Sequence, residues 1–505
     1  MPDLKHIAYR GYLRSCNYRC TYCPFSKQRP SAGELAKDAA ALHRFGDKVG
    51  QLEGPLTIQL LPYGEALLHD YYWQALARLT QLAQVRAAGC QTNLSFDVAE
   101  ALAQFLRAGG AVDKLRLWCT FHPTMTTAQD FAAQCAALRQ AGVRFSAGAV
   151  GDPAQLAAIT ALRQALPADV YVWINRLDGL KRPYTSAEKA AFTAIDPYFP
   201  LELSEPMADA AHCSGGRTSL FVQGDGTCCS CNLSRRKLGN FYADDWHAEA
   251  IRCSSRRCSC YLAYALREDI GQLAFFDQHP AFRVPILHAG VKAIFFDIDG
   301  VLTDQAGRLR PRLLQTLPYL AQQYPLYLAT QRPEASALRL LGESKAYFQG
   351  GVFADGAYTK STWGEQPQVQ PLLLEAQALQ ALEQLSDEHH WTLRLYRERG
   401  TLYKLTLHSR SGLPLDGEIV NAVQVIVSPA LVQQDGALLS IVSAQAGKGS
   451  AIARLAEAMG WRPKELAYVG NSACDVPIFA QVGVAAAIAD GEPEALAAAN
   501  YVLPV

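Results

Sequence analysis

The sequence lacks an excess of charge of either sign and any long apolar segment. Lysine and arginine together number 47, as do aspartate and glutamate, so nothing indicates a surface for nucleic acid or anionic lipid. No run approaches the roughly 18 apolar residues of a membrane-spanning helix, and the first residues hold no signal-peptide core. We therefore expect a cytoplasmic protein with neither membrane nor nucleic acid as a partner, and the oligomeric state stays open.

Cysteine is scarce outside two places. Of 14 cysteines, three open the chain, three are scattered singly, seven fall between Cys213 and Cys260, and only Cys474 follows. Without a secretory segment, clustered cysteines predict metal or iron–sulfur ligands in a reducing compartment and not disulfides.

The length predicts two to four domains. Up to about residue 205, six apolar strand candidates alternate with helical patterns, and they read HIAYRGYL, LTIQLLPYG, RAAGCQTNL, LRLWCTFHP, RFSAGAVG and VYVWINRL. Such units predict a parallel sheet, a full or partial barrel, with its chemistry at the carboxyl ends of the strands. Residues 206–285 break this rhythm, and strand–loop alternation returns afterwards.

The first cysteines, Cys16, Cys20 and Cys23, have C-x-x-x-C-x-x-C spacing. Zinc knuckles usually present two C-x-x-C pairs, whereas three thiolates on one loop suit a [4Fe–4S] cluster with one open iron. With Tyr22 just before the last cysteine, the motif resembles the radical S-adenosylmethionine (SAM) signature. The resemblance implies that SAM binds the open iron and is cleaved to a 5′-deoxyadenosyl radical. A zinc or disulfide staple is the alternative.

Further segments extend this resemblance. Gly64 and Glu65 resemble the Gly-Gly-Glu segment that contacts the SAM amino group, although Tyr63 replaces the first glycine. The alternative for this pair is a simple strand–helix turn. Motifs over about residues 5–285 look like an uncharacterised bacterial radical SAM family. The other SAM-contact candidates lie at or near later strand ends, and they are Asn93, Ser95, His122 and Ser146.

The second cysteine cluster resembles a SPASM or twitch extension, which implies an auxiliary [4Fe–4S] cluster. FVQGDGTCCSC predicts a β-hairpin, on which the adjacent Cys228 and Cys229 point to opposite faces. Structural zinc is the alternative, since four thiolates suit either centre. The predicted ligands are Cys213 and Cys231 with two of Cys253, Cys258 and Cys260.

VKAIFFDIDGVLTD is an apolar strand that ends in Asp297 and Asp299. Two such carboxylates can divide labour: the first attacks phosphorus and binds Mg²⁺, and the second protonates the leaving group. The segment from about 290 to 505 thus resembles the haloacid dehalogenase (HAD) phosphatases. Thr330 and Lys448 would then meet the phosphoryl group and Asp475 would bind Mg²⁺. Asn471 stands where that family commonly has aspartate, so the ligands would bring one negative charge fewer to the metal.

More than 100 residues separate the Thr330 and Lys448 motifs. They resemble an α/β cap of the C2 type, expected at about 362–437, which closes over small phosphorylated substrates. On it, Arg394, Arg397 and Lys404 either touch substrate or lie on a solvated strand face. The predicted fold is α/β in three domains: a partial radical SAM barrel (1–205), a twitch-like auxiliary domain (206–285) and a Rossmann-like HAD domain (286–505).

Together these features predict a bifunctional enzyme. Its radical SAM part would oxidise, epimerise or similarly modify a small phosphorylated metabolite, and its Mg²⁺-dependent part would hydrolyse a phosphate monoester. An external flavodoxin- or ferredoxin-type donor would supply electrons. One alternative is a radical SAM maturase of ribosomal peptides with an accessory HAD domain, although no leader-binding domain is evident. Another is a redox-sensitive regulatory module that controls a phosphatase.

Overall fold

The computed structural model describes residues 4–23, 28–167, 170–204, 213–234, 236–243, 245–249, 258, 266–268, 276, 280–287, 291–413 and 415–503. The chain forms two compact units, Met1–Ala289 and Gly290–Val505. Among the helices so described, none combines the length and apolar character needed to cross a bilayer.

The first unit is built from six strand–helix repeats. Its six central strands are parallel and neighbour one another in chain order, and each of them overlaps one of the predicted apolar segments. The strands are β1 (His6–Arg10), β2 (Leu56–Leu60), β3 (Val85–Thr92), β4 (Leu115–Phe121), β5 (Arg144–Gly151) and β6 (Val172–Arg176). The helices are α1 (Ala32–Val49), α2 (Asp70–Gln81), α3 (Val98–Arg107), α4 (Ala128–Gln140), α5 (Leu156–Ala165), α6 (Ser186–Ile195) and α7 (Phe199–Ser204).

Local sequence explains where these helices begin. Ser31 and Glu34 form a capping box at α1, and Thr185 and Glu188 form one at α6, which satisfies backbone N–H groups of the first turn. One apolar core joins the strands to the inner faces of the helices. Because parallel strands with helical crossovers direct their carboxyl ends the same way, the loops after β1 to β4 share one edge of the sheet.

Three further strands extend this sheet beyond β1: β7 (Ser219–Gln223), β8 (Thr227–Cys229) and β9 (Lys237–Asn240). Strands β7 and β8 are antiparallel, so the predicted hairpin is confirmed. The predicted boundary at 205/206 does not separate compact units, because β7 pairs directly with β1. In the described part of the unit the nine strands run from β9 to β6 without closing into a barrel.

The second unit has an eight-stranded core sheet in the order β14-β13-β12-β11-β10-β19-β20-β21. Its strands are β10 (Ala293–Phe296), β11 (Leu326–Ala329), β12 (Gly350–Phe353), β13 (Tyr358–Lys360), β14 (Gln368–Val369), β19 (Leu466–Gly470), β20 (Val484–Ile488) and β21 (Tyr501–Leu503). Its helices are α8 (Pro311–Ala321), α9 (Glu334–Leu341), α12 (Lys448–Ala458), α13 (Val476–Phe479) and α14 (Pro493–Ala498). The order reverses at β10, where an open α/β sheet forms its ligand crevice.

An inserted α/β layer, which we call the cap, has a hydrophobic core of its own. Its antiparallel sheet has the order β15-β16-β18-β17. The cap elements are α10 (Ala376–Glu388), β15 (Trp391–Glu398), β16 (Thr401–Ser409), α11 (Gly417–Val427), β17 (Leu431–Asp435) and β18 (Leu438–Val442). The insertion therefore has the predicted α/β character, and its last strand extends beyond the expected end at 437.

Candidate functional sites

In the first unit, the chain that leads into the cysteine loop is held by a buried carboxylate on α1. Asp38 is fully buried, and its Oδ1 accepts from the N–H groups of Tyr12 and Leu13 at 2.5 and 3.0 Å. The hydroxyls of Tyr71 and Tyr72 donate to Oδ2 at 2.9 and 3.0 Å. Four hydrogen bonds to one carboxylate thus fix the backbone that leads to Cys16. No sequence pattern had marked Asp38, which lies within an ordinary amphipathic helix.

Gly64 lies directly against the start of the cysteine loop. Arg14–Ser15 pairs in parallel with Tyr63–Gly64, and Gly64 has a φ of 119°. A Cβ at this position would overlap the carbonyl oxygen of Ser15. Glycine is therefore required for the second loop to approach the first this closely.

The Gly64→Ala variant should lose about 3 kcal/mol of stability in the first unit, because both the positive φ and the backbone overlap penalise a side chain. Gly33→Ala is the matched control: Gly33 lies in α1 with open space around it, and alanine there should change stability by less than about 1 kcal/mol. Scanning calorimetry of the full chains measures the melting temperature of each variant. Equal melting temperatures for the two variants would contradict the requirement for glycine.

Glu65, the next residue, joins three loops at this edge. Its carboxylate accepts from the Thr92 hydroxyl at 2.8 Å and from the Asn93 N–H at 2.5 Å. Burial raises the pKa of Glu65 to about 7. The Asn93 side chain in turn donates to the Cys16 Sγ at 3.7 Å. The structure thus brings the predicted residues Glu65 and Asn93 to the first cysteine.

A cavity of about 360 Å³ lies beside this cluster, lined among others by Tyr18, Asn93, Ser95 and Phe131. The Ser95 hydroxyl donates to Asn93 Oδ1 at 2.5 Å and accepts from the Asn17 amide at 2.7 Å. Ser95 therefore lies at the same edge of the sheet as the cysteines.

Tyr22 and His122 also meet at this edge, with 2.6 Å between the tyrosine hydroxyl and His122 Nδ1. Burial lowers the pKa of His122 to about 4, so the imidazole is neutral in the folded protein at neutral pH. A neutral histidine that ionises only on unfolding stabilises the fold above its unfolded pKa of about 6.5.

His122 should therefore make the first unit lose stability as the pH falls from about 6.5 towards 4, by about 2 kcal/mol at pH 5. In His122→Asn this part of the pH dependence should disappear. Hydrogen exchange of the β4 amides in the metal-free protein at pH 7 and pH 5, corrected for intrinsic rates, measures it. His43, whose side chain is 72% exposed, provides the control variant His43→Asn, which should keep the wild-type pH dependence.

Ser146, predicted as a SAM contact, is not brought together with this cluster. It lies near the start of β5, fully buried, and its hydroxyl donates to the Phe282 carbonyl at 2.8 Å. Gln59 donates likewise to the Ala281 carbonyl at 2.8 Å. The segment 280–287 thus covers the sheet at this position, away from the carboxyl edge.

The three N-terminal thiols are neighbours. Burial raises the pKa of Cys20 to about 11, and the nearby Cys23 and Cys16 thiols contribute to the same shift. Burial raises the pKa of Cys16 too, against an N–H···S bond from Tyr18 at 3.4 Å. In the described ranges, no three His, Cys, Asp or Glu side chains are arranged to hold a single metal ion.

Of the second cysteine group, Cys253 and Cys260 lie outside the described residues, whereas Cys213, Cys231 and Cys258 are half-buried within them. Cys228 packs in the main core, and Cys229 packs against Ala8, Leu61 and Phe221. The two adjacent side chains therefore lie on opposite faces, as the strand geometry predicts.

In the second unit, Lys448 lies between two buried carboxylates. Its Nζ donates to Asp297 Oδ2 at 2.7 Å and to Asp475 Oδ1 at 3.1 Å. Asp297 follows β10, Asp475 follows β19, and Lys448 begins α12. Burial raises the pKa of Asp297 although Lys448 opposes it; for Asp475, Lys448 and other hydrogen bonds outweigh burial and lower the pKa. The carboxylates raise the pKa of Lys448 well above its usual value despite burial, so this lysine stays charged.

Asp299 is held apart from this group by an arginine that the sequence reasoning missed. Arg332 donates to both Asp299 oxygens, with Nη2–Oδ1 at 2.7 Å and Nε–Oδ2 at 2.8 Å. The Asp299 side chain is 49% exposed. Arg332 follows the buried Thr330 by two residues, and its N–H donates to the Thr330 hydroxyl oxygen at 3.1 Å. Its position beside Thr330 in TQRP is the signal that could have identified it.

Tyr468 is a second missed residue. Its fully buried hydroxyl donates to Asp475 Oδ1 at 2.6 Å and lies 3.5 Å from Lys448 Nζ. The N–H of Asn471 donates to the other Asp475 oxygen at 2.9 Å. Tyr468 and Asn471 therefore position the Asp475 carboxylate.

The oxygen atoms of this cluster fit a hard divalent cation. Asn471 packs against Gly300, where a Cβ would overlap its amide, and its buried Oδ1 has no hydrogen-bond partner among the described residues. Mg²⁺ takes carboxylate and amide oxygens in the company of phosphate and water. Asp297, Asn471 and Asp475 are the residues that would hold it, and Asp299 would first have to leave Arg332 to take part.

The Lys404 placement corrects one prediction about the cap. Lys404 is 2% exposed, so a solvated strand face is the wrong interpretation for it; Arg394 and Arg397 are exposed. The Lys404 Nζ donates to Asp355 Oδ2 and to the Gln331 carbonyl, both at 2.7 Å.

Comparison with known proteins bears on the second unit. Haloacid dehalogenase-like hydrolases match residues 294–413 and 415–505. A phosphoglycolate phosphatase of Halorubrum lacusprofundi is 28% identical over 221 residues, which are 42% of this chain and 91% of that protein. A solved haloacid dehalogenase-like hydrolase from Bacteroides thetaiotaomicron has 17% identity and a TM-score of 0.37, over 42% of this chain and 94% of that one.

A phosphatase of the same superfamily, also from Bacteroides thetaiotaomicron, has 15% identity and a TM-score of 0.36 over 42% of this chain and 90% of that one. The radical SAM resemblance of the first unit stays a prediction. The resemblance predicted for the second unit is confirmed by the family match: residues 294–505 form a haloacid dehalogenase-like hydrolase domain with a Rossmann-like α/β core.

Proposed function

We propose that the second unit is a Mg²⁺-dependent phosphatase of small phosphorylated metabolites. The observation that carries this proposal is Lys448, a buried cation held 2.7 Å from Asp297 and 3.1 Å from Asp475 at the crevice of the sheet. An anionic phosphoryl group is attracted to such a buried positive charge. The name of the Halorubrum relative, a phosphatase, supports the same reaction class.

In the proposed reaction, a carboxylate oxygen of Asp297 attacks phosphorus while the bond to the leaving oxygen breaks. Asp299 gives its proton to that leaving oxygen and afterwards takes a proton from the water that hydrolyses the aspartyl phosphate. Lys448 and Thr330 contact the phosphoryl oxygens. Bound Mg²⁺ would supply further positive charge for the transferring group.

Arg332 has a positioning role in this proposal. Because it donates hydrogen bonds to both Asp299 carboxylate oxygens, it keeps this side chain away from Asp297 until a substrate draws Asp299 or Arg332 away.

For the first unit, the same proposal assigns radical SAM chemistry on the phosphorylated metabolite, before or after the phosphate is removed. This assignment is supported by four side chains that lie together at the carboxyl edge of a parallel sheet: Cys16, Glu65, Asn93 and His122. Burial raises the pKa of the Cys16 and Cys20 thiols, and a bound cation would let these crowded thiols ionise, which favours ligation. Cys16, Cys20 and Cys23 would hold a [4Fe–4S] cluster, which supplies the electron that cleaves SAM and receives it from an external flavodoxin- or ferredoxin-type donor.

An auxiliary [4Fe–4S] cluster is part of the proposal. Its ligands would be Cys213 and Cys231 with two of Cys253, Cys258 and Cys260. The hairpin β7–β8, which ends just before Cys231, supports a site separate from the N-terminal cysteines.

A single assay tests both activities. The full chain is incubated anaerobically with SAM, a low-potential reductant, Mg²⁺ and a panel of phosphorylated metabolites, and phosphate and 5′-deoxyadenosine are measured together. We expect Mg²⁺-dependent phosphate release and SAM cleavage from one preparation. Absence of phosphate release on every substrate would refute the phosphatase, and absence of 5′-deoxyadenosine would refute the radical step.

A further inference from the structure

The cap and the core of the second unit enclose a cavity of about 210 Å³ beside Lys448. Its lining includes Gln331 and Asp355 from core loops and Gln433 from cap strand β17. Lys448 also lines it and donates to Asp297, so a single side chain separates the cavity from the proposed nucleophile. The volume suits a small metabolite and not a polymer.

Two oxygens of this lining are buried without a hydrogen-bond partner in the described part of the chain: Asp355 Oδ1 and Gln433 Oε1. Asp355 itself is only 1% exposed. Leaving a buried acceptor unpaired costs free energy, so two of them in one cavity indicate that a ligand supplies the donors.

Register explains why these acceptors stay unpaired. Gln433 pairs directly with Ser440, and Lys404 pairs with Val442, so all four side chains share the sheet face that meets Asp355. Lys404 and the Ser440 hydroxyl both donate to Asp355 Oδ2, at 2.7 and 2.8 Å. Oδ2 is thereby satisfied, whereas no described residue donates to Oδ1.

The ion pair with Lys404 also decides which donor fits. Because Lys404 already balances the Asp355 charge at 2.7 Å, the cavity has no spare negative charge to attract an ammonium group. Neutral hydroxyls satisfy both acceptors at less desolvation cost. Lys448, at the other side, favours a phosphate.

We propose that this cavity selects phosphorylated polyols, with Asp355 Oδ1 and Gln433 Oε1 each accepting a hydrogen bond from a substrate hydroxyl. The inference deepens, and rests on, the phosphatase function proposed above. Asp355 and Gln433 are specificity residues in it, and Lys404 and Ser440 position Asp355.

The test compares glycerol phosphate with n-propyl phosphate, which differ only in hydroxyls, as substrates of the full chain. In Asp355→Asn the amide can keep its oxygen towards Lys404 and direct Nδ2 into the cavity; in Gln433→Met the acceptor is lost at similar size. Each variant should lower the ratio of kcat/KM for glycerol phosphate to that for propyl phosphate by about tenfold. Gln434→Met, on the neighbouring residue whose amide donates to the Leu415 carbonyl at 3.0 Å, should leave the ratio unchanged.

An unchanged ratio in Gln433→Met and Asp355→Asn would overturn the inference and leave the phosphatase standing. If the wild type hydrolyses neither ester, the metabolite panel above decides the proposed function, and calorimetric binding of the two esters to the Asp297→Asn chain decides the inference. Tighter binding of glycerol phosphate than of propyl phosphate, lost in Gln433→Met, would support it. Equal binding of the two esters, or no binding, would overturn it.

Discussion

The Asp297→Asn variant should hydrolyse phosphate monoesters about four orders of magnitude more slowly than the wild type. An amide oxygen is a far poorer nucleophile than a carboxylate, so removing the attacking group removes the covalent route and leaves only binding and electrostatic contributions. The substitution changes neither the size of the side chain nor its hydrogen bond from the Ile298 N–H at 2.7 Å. The measurement is kcat for phosphate release at saturating Mg²⁺.

Asp304→Asn is the matched control for this loss. Asp304 follows the same strand but pairs with the exposed Arg308 at 2.8 Å, so its substitution should leave kcat within about twofold. Thermal unfolding must accompany both assays, because Asp297→Asn leaves the buried Lys448 with Asp475 as its remaining carboxylate at 3.1 Å. A folded Asp297→Asn protein that keeps more than a tenth of the activity would contradict the assignment of the nucleophile.

The positions of the second-unit residues follow from rules that act locally in the sequence. Asp297, Thr330 and Asn471 each come directly after a short apolar run. Such runs become buried parallel strands, and parallel strands end at one edge, so polar residues that follow them converge. The same rule explains why the loops that contain Cys16, Glu65 and Asn93 meet in the first unit.

Contacts made by long side chains and by distant segments could not be predicted in this way. Arg332 lies two residues after Thr330, but its pairing with Asp299 depends on how two loops face each other. The hydrogen bond of Ser146 to Phe282 is not predictable, because Phe282 comes 136 positions later and has no motif of its own.

Lys404 shows a third kind of limit. Along β16 the residues from 403 to 407 are all buried, because one face packs on the cap core and the other meets the Asp355 loop. Strand alternation presumes that one face is solvated, which is why solvent exposure is one of the two interpretations that the sequence offers for this lysine. Only the docking of cap on core reveals that this charge is paired inside.

The Cys16→Ala variant should lose SAM cleavage entirely and about four of the roughly eight irons expected for two [4Fe–4S] clusters per chain. The Asn93 side chain and the Tyr18 N–H both donate to the Cys16 sulfur. Such N–H···S bonds favour a thiolate, and a cluster held by two remaining thiolates is not expected to survive. The measurement is 5′-deoxyadenosine after anaerobic reduction, with iron, zinc and sulfide counts on the same sample.

Cys135→Ala is the control, since Cys135 is a buried core residue on α4 and should affect neither iron content nor SAM cleavage. The iron count separates the competing interpretations because the two cysteine groups would lose metal independently. If Cys16→Ala keeps all iron, the cluster is not bound by the first loop. If the wild type holds about four irons and zinc, the second group is a structural zinc site. A wild type that binds iron but never cleaves SAM would favour the regulatory interpretation, in which the first unit senses redox state and the phosphatase alone is catalytic.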